Sequence, residues 1–127
     1  MIYGIGTDIV KVERMKEVVE KWGEKFLQRV FTPQEIVYCH HKKDPFPSLS
    51  VRFAAKEAVI KASGSGVSIP LIDIEVVNDE RGNPTIQPRG ALRAFFRENA
   101  LSKVHLSLSH EKEYGIAFVV LEGQDIC

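Results

Sequence analysis

The spacing of apolar and polar residues changes several times along this chain, and each change predicts a new element. Residues 2–10 are rich in β-branched side chains and punctuated by glycine, which predicts a strand. Residues 11–29 then take up a helical period that has a weak point at Gly23. Alternation of apolar and polar residues predicts the remaining strands, over 71–77, 84–87, 104–109 and 114–121. We expect the first two of these strands to form a hairpin, and the last two to be joined by a tight charged turn.

The other helices are indicated by their start and stop signals. Thr32 is a favourable N-cap, Pro33 suits the first helical position and Glu35 completes a capping box, so a short helix is expected to about His41. Two more helices are predicted: a long one that Pro47 and Ser48 precede and that the Ser63–Gly66 segment ends, and another over residues 88–101. Helices and strands do not alternate as βαβ units, which favours an α+β fold with a mostly antiparallel sheet packed against long helices. No linker interrupts residues 1–127, so we expect one domain.

Composition narrows the class of protein without naming a function. The chain is 44% hydrophobic and 27% charged, which is typical of a soluble globular domain, and its formal net charge of zero gives no case for nucleic-acid binding. The two cysteines, Cys39 and Cys127, lack the spacing of a metal site, which favours a reducing cytoplasm. Met1 runs into a strand pattern without a basic region or a long apolar segment, so neither a signal peptide nor a membrane span is expected.

The most informative stretch is residues 52–62, where charges interrupt an apolar helix pattern. On a helical wheel, Glu57 and Lys61 share the apolar arc, whereas Arg52 and Lys56 point to the other side. That arc is formed by Phe53, Ala54, Ala58 and Ile60. A surface ion pair one turn apart is the simpler interpretation. The small neighbours favour the alternative, in which Glu57 and Lys61 face a ligand or a metal.

Asp8 is a second carboxylate in an unusual place, because it interrupts an apolar strand. It could be an N-cap for a helix that starts near Lys11, although two apolar residues intervene. The functional alternative is an oxygen ligand for Mg²⁺, which takes only one or two protein carboxylates. Glu57 would supply the other.

Three other groups are weaker candidates. The Ser63–Gly66 segment is small enough for its amides to approach a phosphate, but it is equally a helix C-cap. Ser107 and Ser109 precede His110, which could contact a phosphate or a ribose; a serine nucleophile is less economical, since no nucleophile elbow is present. The adjacent pair His40–His41 is expected to be a solvated loop, because consecutive side chains diverge.

Charge is segregated on the helical wheel of residues 11–29. One side carries basic residues and the far side carries acidic ones, with an apolar core stripe between them. The basic residues are Lys11, Arg14, Lys21, Lys25 and Arg29, and the expected core stripe is Val12, Met15, Val19, Trp22 and Phe26. Val18 lies among the basic residues as an apolar anchor. In a chain of zero net charge, such a face indicates a specific acidic partner, although a chance arrangement is an open alternative.

Three separated motifs occur in an order that resembles a known family. They are GIGTDIV at residues 4–10, RFAAKEAVIKA at 52–62 and LSLSH at 106–110. With these motifs, the chain resembles the holo-acyl carrier protein synthases, the short, single-domain class of 4′-phosphopantetheinyl transferases. The resemblance implies an α+β transferase that moves the phosphopantetheine arm of coenzyme A onto a serine of an apo-acyl carrier protein in fatty acid biosynthesis, releasing adenosine 3′,5′-bisphosphate.

The resemblance also assigns expected roles to residues. Asp8 and Glu57 would hold Mg²⁺, and Lys61 would place a positive charge on a phosphate. Glu57, directly or through a metal-bound water, would accept the serine proton, with water activated by Asp8 as the competing assignment. The expected coenzyme contacts are Arg52, Lys61, Ser63, Gly64, Ser65, Gly66, Pro84, Ser109 and His110.

The expected partners follow from the same resemblance. The acidic carrier protein would dock on the face of Lys11, Arg14, Lys21 and Lys25, and three copies of the chain would form a cytoplasmic homotrimer with shared sites. Two alternatives from other classes are a non-catalytic coenzyme-binding module and a structural oligomer in which Glu57 and Lys61 pair across an interface.

Overall fold

A computed structural model describes residues 1–124 and shows the antiparallel α+β architecture expected from the sequence. The first half of the chain contains β1 (Ile2–Lys11), α1 (Val12–Trp22), α2 (Glu24–Val30), α3 (Pro33–His40) and α4 (Phe46–Ser63). A 3₁₀ turn (Leu71–Asp73) follows, and then β2 (Ile74–Asn78), β3 (Pro84–Pro88), α5 (Gly90–Glu98), β4 (Leu101–His110) and β5 (Tyr114–Gly123). Cys127 lies outside the described residues.

The strands form two separate sheets in which every pairing is antiparallel. One sheet has three strands in the order β1-β5-β4, and the other is the hairpin of β2 and β3. Helix α4 packs across the three-stranded sheet, and its buried side chains join those of the hairpin and α5 in the larger core cluster. A smaller cluster lies between the first three helices and the start of α4.

Two glycines of β1 allow this strand to approach α4 closely. A Cβ atom added at Gly6 would lie 2.0 Å from the main-chain oxygen of Ala58, and one at Gly4 would lie 2.0 Å from that of Ala62. No side chain larger than hydrogen fits either position without movement of the main chain. The glycine punctuation of the first motif therefore sets the distance between the strand that carries Asp8 and the helix that carries Glu57.

Local signals in the first half of the chain are confirmed. Gly23 adopts a φ of +60° and separates α1 from α2. The capping box of α3 is present, because the Glu35 amide donates to the Thr32 hydroxyl over 3.3 Å and the Thr32 amide donates to the Glu35 carboxylate over 3.0 Å. The turn after Thr32 is thus determined by its own sequence.

Three predicted boundaries are wrong. Helix α4 begins at Phe46 and includes Pro47, because a proline is tolerated in the first turn, where its missing N–H has no helical acceptor. The predicted strand 71–77 begins instead as a 3₁₀ turn in which the Asp73 amide donates to Pro70 over 3.0 Å. The predicted helix 88–101 is shorter, since Ala100 has a φ of +53° and Leu101 already pairs with Gly123 in the sheet.

The outward face of the three-stranded sheet is apolar. Ile5, Ile9, Ile116 and Phe118 alternate with inward-facing residues and are between 42% and 61% exposed. Exposed apolar side chains on adjoining strands form a contiguous patch of the kind that mediates association. Within residues 1–124, no helix has both the length and the apolar character needed to cross a membrane.

Candidate active site

Asp8 and Lys61 meet where the middle of β1 crosses the end of α4. The Lys61 ammonium lies 3.1 Å from Asp8 Oδ1 and donates to the main-chain oxygen of Thr7 over 3.0 Å. Asp8 is not an N-cap, because α1 begins at Val12 and no side chain caps it. The alternation of β1 instead turns Asp8 toward α4. The structure thus brings together two predicted site residues from motifs that are about fifty positions apart.

Glu57 lies one turn before Lys61 on α4 and completes this group. Burial raises the pKa of the Glu57 carboxyl, the negative charge of Asp8 raises it further, and Lys61 opposes both effects. Within residues 1–124, Glu57 makes no hydrogen bond and no ion pair, so the surface pair of Glu57 with Lys61 is not formed. Two half-buried carboxylates of like charge favour a bound cation, which would relieve their repulsion.

This donor set fits Mg²⁺ better than a metal that needs an all-protein cage. Magnesium commonly takes one or two carboxylates and fills its other positions with water and substrate phosphate, which Asp8 and Glu57 would satisfy. The described residues contain no cluster of three or more His, Cys, Asp or Glu side chains that could hold a metal. The site is therefore suited to a metal that arrives with, or is completed by, a phosphate ligand.

The prediction of which charges on α4 face inward is wrong. Lys56 is fully buried and Arg52 is 4% exposed, whereas Glu57 is half-buried and the Lys61 side chain is 55% exposed. A helical wheel takes the apolar arc as the only buried face, but α4 is surrounded by other elements on most of its circumference. Buried charge is tolerated there because it is paired: Lys56 donates to Glu35 over 2.8 Å and to two main-chain oxygens, and Arg52 donates to the Val76 oxygen.

Three of the predicted coenzyme contacts line one cavity of about 350 Å³, although they come from distant parts of the sequence. Arg52 lies on α4, Pro84 begins β3 and His110 ends β4. They come together because the hairpin packs beside α4 and the end of β4.

The same cavity contains residues that the sequence interpretation missed. Tyr38 and Lys42 line it beside Arg52, with the Arg52 guanidinium 4.2 Å and the Lys42 ammonium 5.2 Å from the centre of the Tyr38 ring. Asn78 and Gly82 of the hairpin also line it. A hydrogen bond with Asn78 lowers the pKa of Tyr38, and the two nearby cations lower it further against the effect of burial. The polar run at 40–45 was the available signal, but it was interpreted only as a loop.

The remaining predicted coenzyme contacts do not line this cavity. Ser63 is buried and its hydroxyl donates to Val59 over 2.8 Å, while Gly64 ends α4, so this end of the segment acts as a helix terminus. Gly64, Ser65 and Gly66 are exposed. Ser109 borders a shallow hollow that it shares with His110. In the described part of the chain no hydrogen bond joins Ser109 to His110, so the serine nucleophile that the sequence disfavours also lacks a base in contact.

The basic face of residues 11–29 contains an apolar hollow that the wheel did not predict. Trp22 was expected in the core but is 60% exposed, because the break at Gly23 ends α1 at this residue and leaves its ring outside the smaller core cluster. With Val18 and Phe26 it lines a cavity of about 460 Å³ whose rim carries Lys25 and Arg29. Val18, which the sequence offers as an apolar anchor, thus lies in this hollow with two aromatic rings beside it.

Comparison with known proteins identifies the family that the chain matches. Residues 4–119 match a family described as the 4′-phosphopantetheinyl transferase superfamily. The chain is 47% identical over 123 residues to a holo-[acyl-carrier-protein] synthase of Halothermothrix orenii, covering 96% of this chain and 98% of that one.

Solved structures give the same result. The fold is similar to the holo-[acyl-carrier-protein] synthase of Neisseria meningitidis, with a TM-score of 0.88, 40% identity and coverage of 96% of this chain and 99% of that one. It is also similar to the synthase of Bacillus anthracis in complex with CoA (3′,5′-ADP), with a TM-score of 0.80, 37% identity and coverage of 98% and 99%.

Proposed function

The chain belongs to the 4′-phosphopantetheinyl transferase superfamily, and we propose that it transfers the phosphopantetheine arm of coenzyme A to a serine of an apo-acyl carrier protein. The observation that carries this proposal is the grouping of Asp8, Glu57 and Lys61, from two motifs, at the crossing of β1 and α4. In the transfer, the serine oxygen bonds to phosphorus, the phosphoanhydride breaks and adenosine 3′,5′-bisphosphate leaves. The serine proton must pass to a base.

The residues at the crossing of β1 and α4 suit this reaction. The Lys61 side chain is 55% exposed. It would place a point charge on a phosphate of coenzyme A, in exchange for part of its present contacts with Asp8 and Thr7. Glu57 is free of hydrogen bonds to described residues and has a raised pKa, so it is suited to accept the serine proton. Water oriented by Asp8 is the competing base.

Asp8 and Glu57 are also the residues that would hold Mg²⁺. A bound divalent ion would neutralise charge on the pyrophosphate as the anhydride breaks. The support from this chain is the donor set itself: two half-buried carboxylates of like charge that lack a third protein ligand.

The cavity beside α4 would receive coenzyme A. Arg52, Pro84 and His110 line it, and Lys42 adds a further positive charge at its edge. A relative of known structure is described in complex with CoA (3′,5′-ADP) and covers 98% of this chain, which supports the same ligand here. We extend the coenzyme site to Ser63–Gly66 and Ser109 as the sequence predicts.

The basic face formed by the end of β1 and by α1 and α2 would dock the carrier protein. Lys11, Arg14, Lys21 and Lys25 are all exposed, and the apolar hollow of Val18, Trp22 and Phe26 adds a recess for an apolar side chain. An acidic helix with one apolar anchor would fit both features.

The exposed apolar sheet face would be covered in a homotrimer. Residues 1–127 would form one transferase domain in each subunit. The enzyme would work in the cytoplasm and provide the phosphopantetheine-bearing carrier protein that fatty acid biosynthesis uses. The family match over residues 4–119 and the patch on β1 and β5 support this arrangement.

Transfer is tested by incubating the protein with coenzyme A, Mg²⁺ and an apo-acyl carrier protein. We expect the carrier protein to gain about 340 Da, one phosphopantetheine arm, while adenosine 3′,5′-bisphosphate appears in equal amount and EDTA prevents both. A protein that binds coenzyme A but modifies none of several carrier proteins would instead be a binding module. The structural-oligomer alternative has less support, because Lys61 is paired with Asp8 inside one chain.

A further inference from the structure

The hairpin of β2 and β3 forms a two-stranded sheet of its own, and one edge of β2 is satisfied by side chains instead of a third strand. Val76 donates its amide to Glu35 over 3.0 Å and accepts from Arg52 at its carbonyl. The carbonyl of Ile74 accepts from Lys56 over 2.7 Å. These are the main-chain groups that a neighbouring strand would normally pair.

Lys56 is the link between these contacts. Its ammonium lies 2.8 Å from Glu35, 2.7 Å from the Ile74 oxygen and 3.1 Å from the Leu71 oxygen, so each of its three protons has an acceptor. Glu35 accepts from the Thr32 amide as well, which ties the start of α3 to the same ammonium. Three elements therefore meet at one fully buried charge on α4.

A second buried carboxylate extends the network to the end of the hairpin. Glu75 is 1% exposed, accepts the Thr32 hydroxyl over 2.5 Å and is paired with Arg89, which follows β3, at 2.7 Å. The hairpin is thus anchored to α3 and α4 through β2, and Arg89 ties the end of β3 back to that strand. Its apolar contacts alone would permit sliding along α4, because they lack direction, whereas these hydrogen bonds fix one register.

The fixed register matters because the proposed coenzyme cavity lies between the same two elements. Arg52 lines the cavity from α4, and Asn78, Gly82 and Pro84 line it from the hairpin. Lys56 lies one turn after Arg52 and has no place in the cavity lining. The crossing of α4 with β1 is set separately, by the close approach at Gly4 and Gly6.

We propose that Lys56 and Glu35 are positioning residues for coenzyme binding, which hold the hairpin against α4 and so set the distance between Arg52 and Pro84. This inference rests on the proposed function, because it assumes that the cavity binds coenzyme A. Two adjacent residues of α4 would then have different tasks. Glu57 faces the reacting groups, and Lys56, which does not line the cavity, sets the position of the hairpin that does.

The test compares Lys56→Met, which keeps the length of the side chain without its charge, with Leu27→Ala as a destabilised control. Leu27 is buried in the smaller core cluster, whereas the buried apolar residues of the hairpin belong to the larger one. For Lys56→Met we expect the KM for coenzyme A to rise about tenfold with kcat within about threefold of wild type, since loosening of a binding site by about 1 Å is costly. The dissociation constant for coenzyme A, measured by calorimetry, should rise in parallel.

Glu35→Gln serves as a second variant in case Lys56→Met does not fold. It keeps the shape of the side chain but has only one acceptor oxygen, which is expected to stay with Thr32 and Lys56, so the Val76 N–H faces an NH2 group and loses its acceptor. Faster hydrogen exchange at Val76 and a higher KM for coenzyme A are expected. Lowered thermal stability with an unchanged KM and dissociation constant, as in Leu27→Ala, would overturn the inference and leave the network purely structural. Absence of transfer by the wild-type protein would be a separate result, which rejects the proposed function first and this inference with it.

Discussion

Substitution of Gly6 by alanine tests whether the close approach of β1 and α4 controls the reaction. The added Cβ would lie 2.0 Å from the Ala58 oxygen, and such contacts essentially never fall below 3.0 Å, so the strand and the helix must separate by about 1 Å. The obstructing atom is main chain, which no side-chain rotation can relieve. The movement lies two residues from Asp8, whose contact with Lys61 is 3.1 Å long.

The expected size of the effect follows from that displacement. Overpacking of this kind lowers the free energy of unfolding by about 1–3 kcal/mol, and we expect the upper end because the contact is with the main chain. A misplacement of about 1 Å at reacting groups lowers kcat by about a hundredfold. The KM for coenzyme A should change less than kcat, because β1 contacts only Lys61 among the expected coenzyme residues named in the site, whereas the cavity lined by Arg52, Pro84 and His110 does not include β1.

The assay combines urea unfolding with initial rates of transfer measured by chromatography of the released nucleotide. Thr7→Ser is the matched control, since it lies in the same strand and keeps the hydroxyl that donates to the Ala117 oxygen over 3.0 Å. A Gly6→Ala protein with wild-type kcat and wild-type stability would refute the claim that the spacing of β1 and α4 positions the site.

Three other predictions concern separate parts of the molecule. Burial raises the pKa of the Cys39 thiol to about 11, so iodoacetamide should label Cys39 at pH 8 only after the protein unfolds. The free energy of unfolding should fall as the pH rises above about 8.5, because the thiol ionises first in the unfolded chain. Labelling of Cys39 in the folded protein at the rate of the unfolded chain would contradict this. Thr32→Ala should lower the free energy of unfolding by about 2–3 kcal/mol in urea titrations, since a cap is lost and Glu75 loses a partner, whereas Thr32→Ser should restore most of it. Charge reversal at the exposed Arg14 should raise the KM for the acidic carrier protein about tenfold at low salt, because it replaces attraction with repulsion. The KM for coenzyme A should not change, and equal effects on both substrates would exclude a docking role.

Features determined by a few adjacent residues could be predicted from the sequence. The capping box at Thr32, the break at Gly23 and the last hairpin are local, because each is specified by hydrogen bonds or dihedral angles within one turn. The grouping of Asp8 with Lys61 was predicted through the family resemblance. Residue spacing alone could not place a strand at residue 8 beside a helix that ends at residue 63.

The features that were missed depend on tertiary surroundings. The helical wheel places Lys56 and Arg52 on the outer side of α4, opposite its apolar arc, yet Glu35 and the edge of β2 offer them partners that no helical wheel contains. Trp22 was assigned to the core because its spacing fits a continuous helix, but the helix ends at this residue. The role of Tyr38 required knowledge of the hairpin that packs next to it.

The central claim is that Asp8 and Glu57, contributed by β1 and α4, together support metal-dependent phosphopantetheine transfer. The most direct measurement is mass spectrometry of an apo-acyl carrier protein incubated with coenzyme A and wild-type, Asp8→Asn or Glu57→Gln protein over a range of Mg²⁺ concentrations. The account predicts full modification by the wild type with Mg²⁺, none with EDTA, and a rate at least about a hundredfold lower for each variant while thermal stability is retained. Folded variants that modify the carrier protein at the wild-type rate would contradict it.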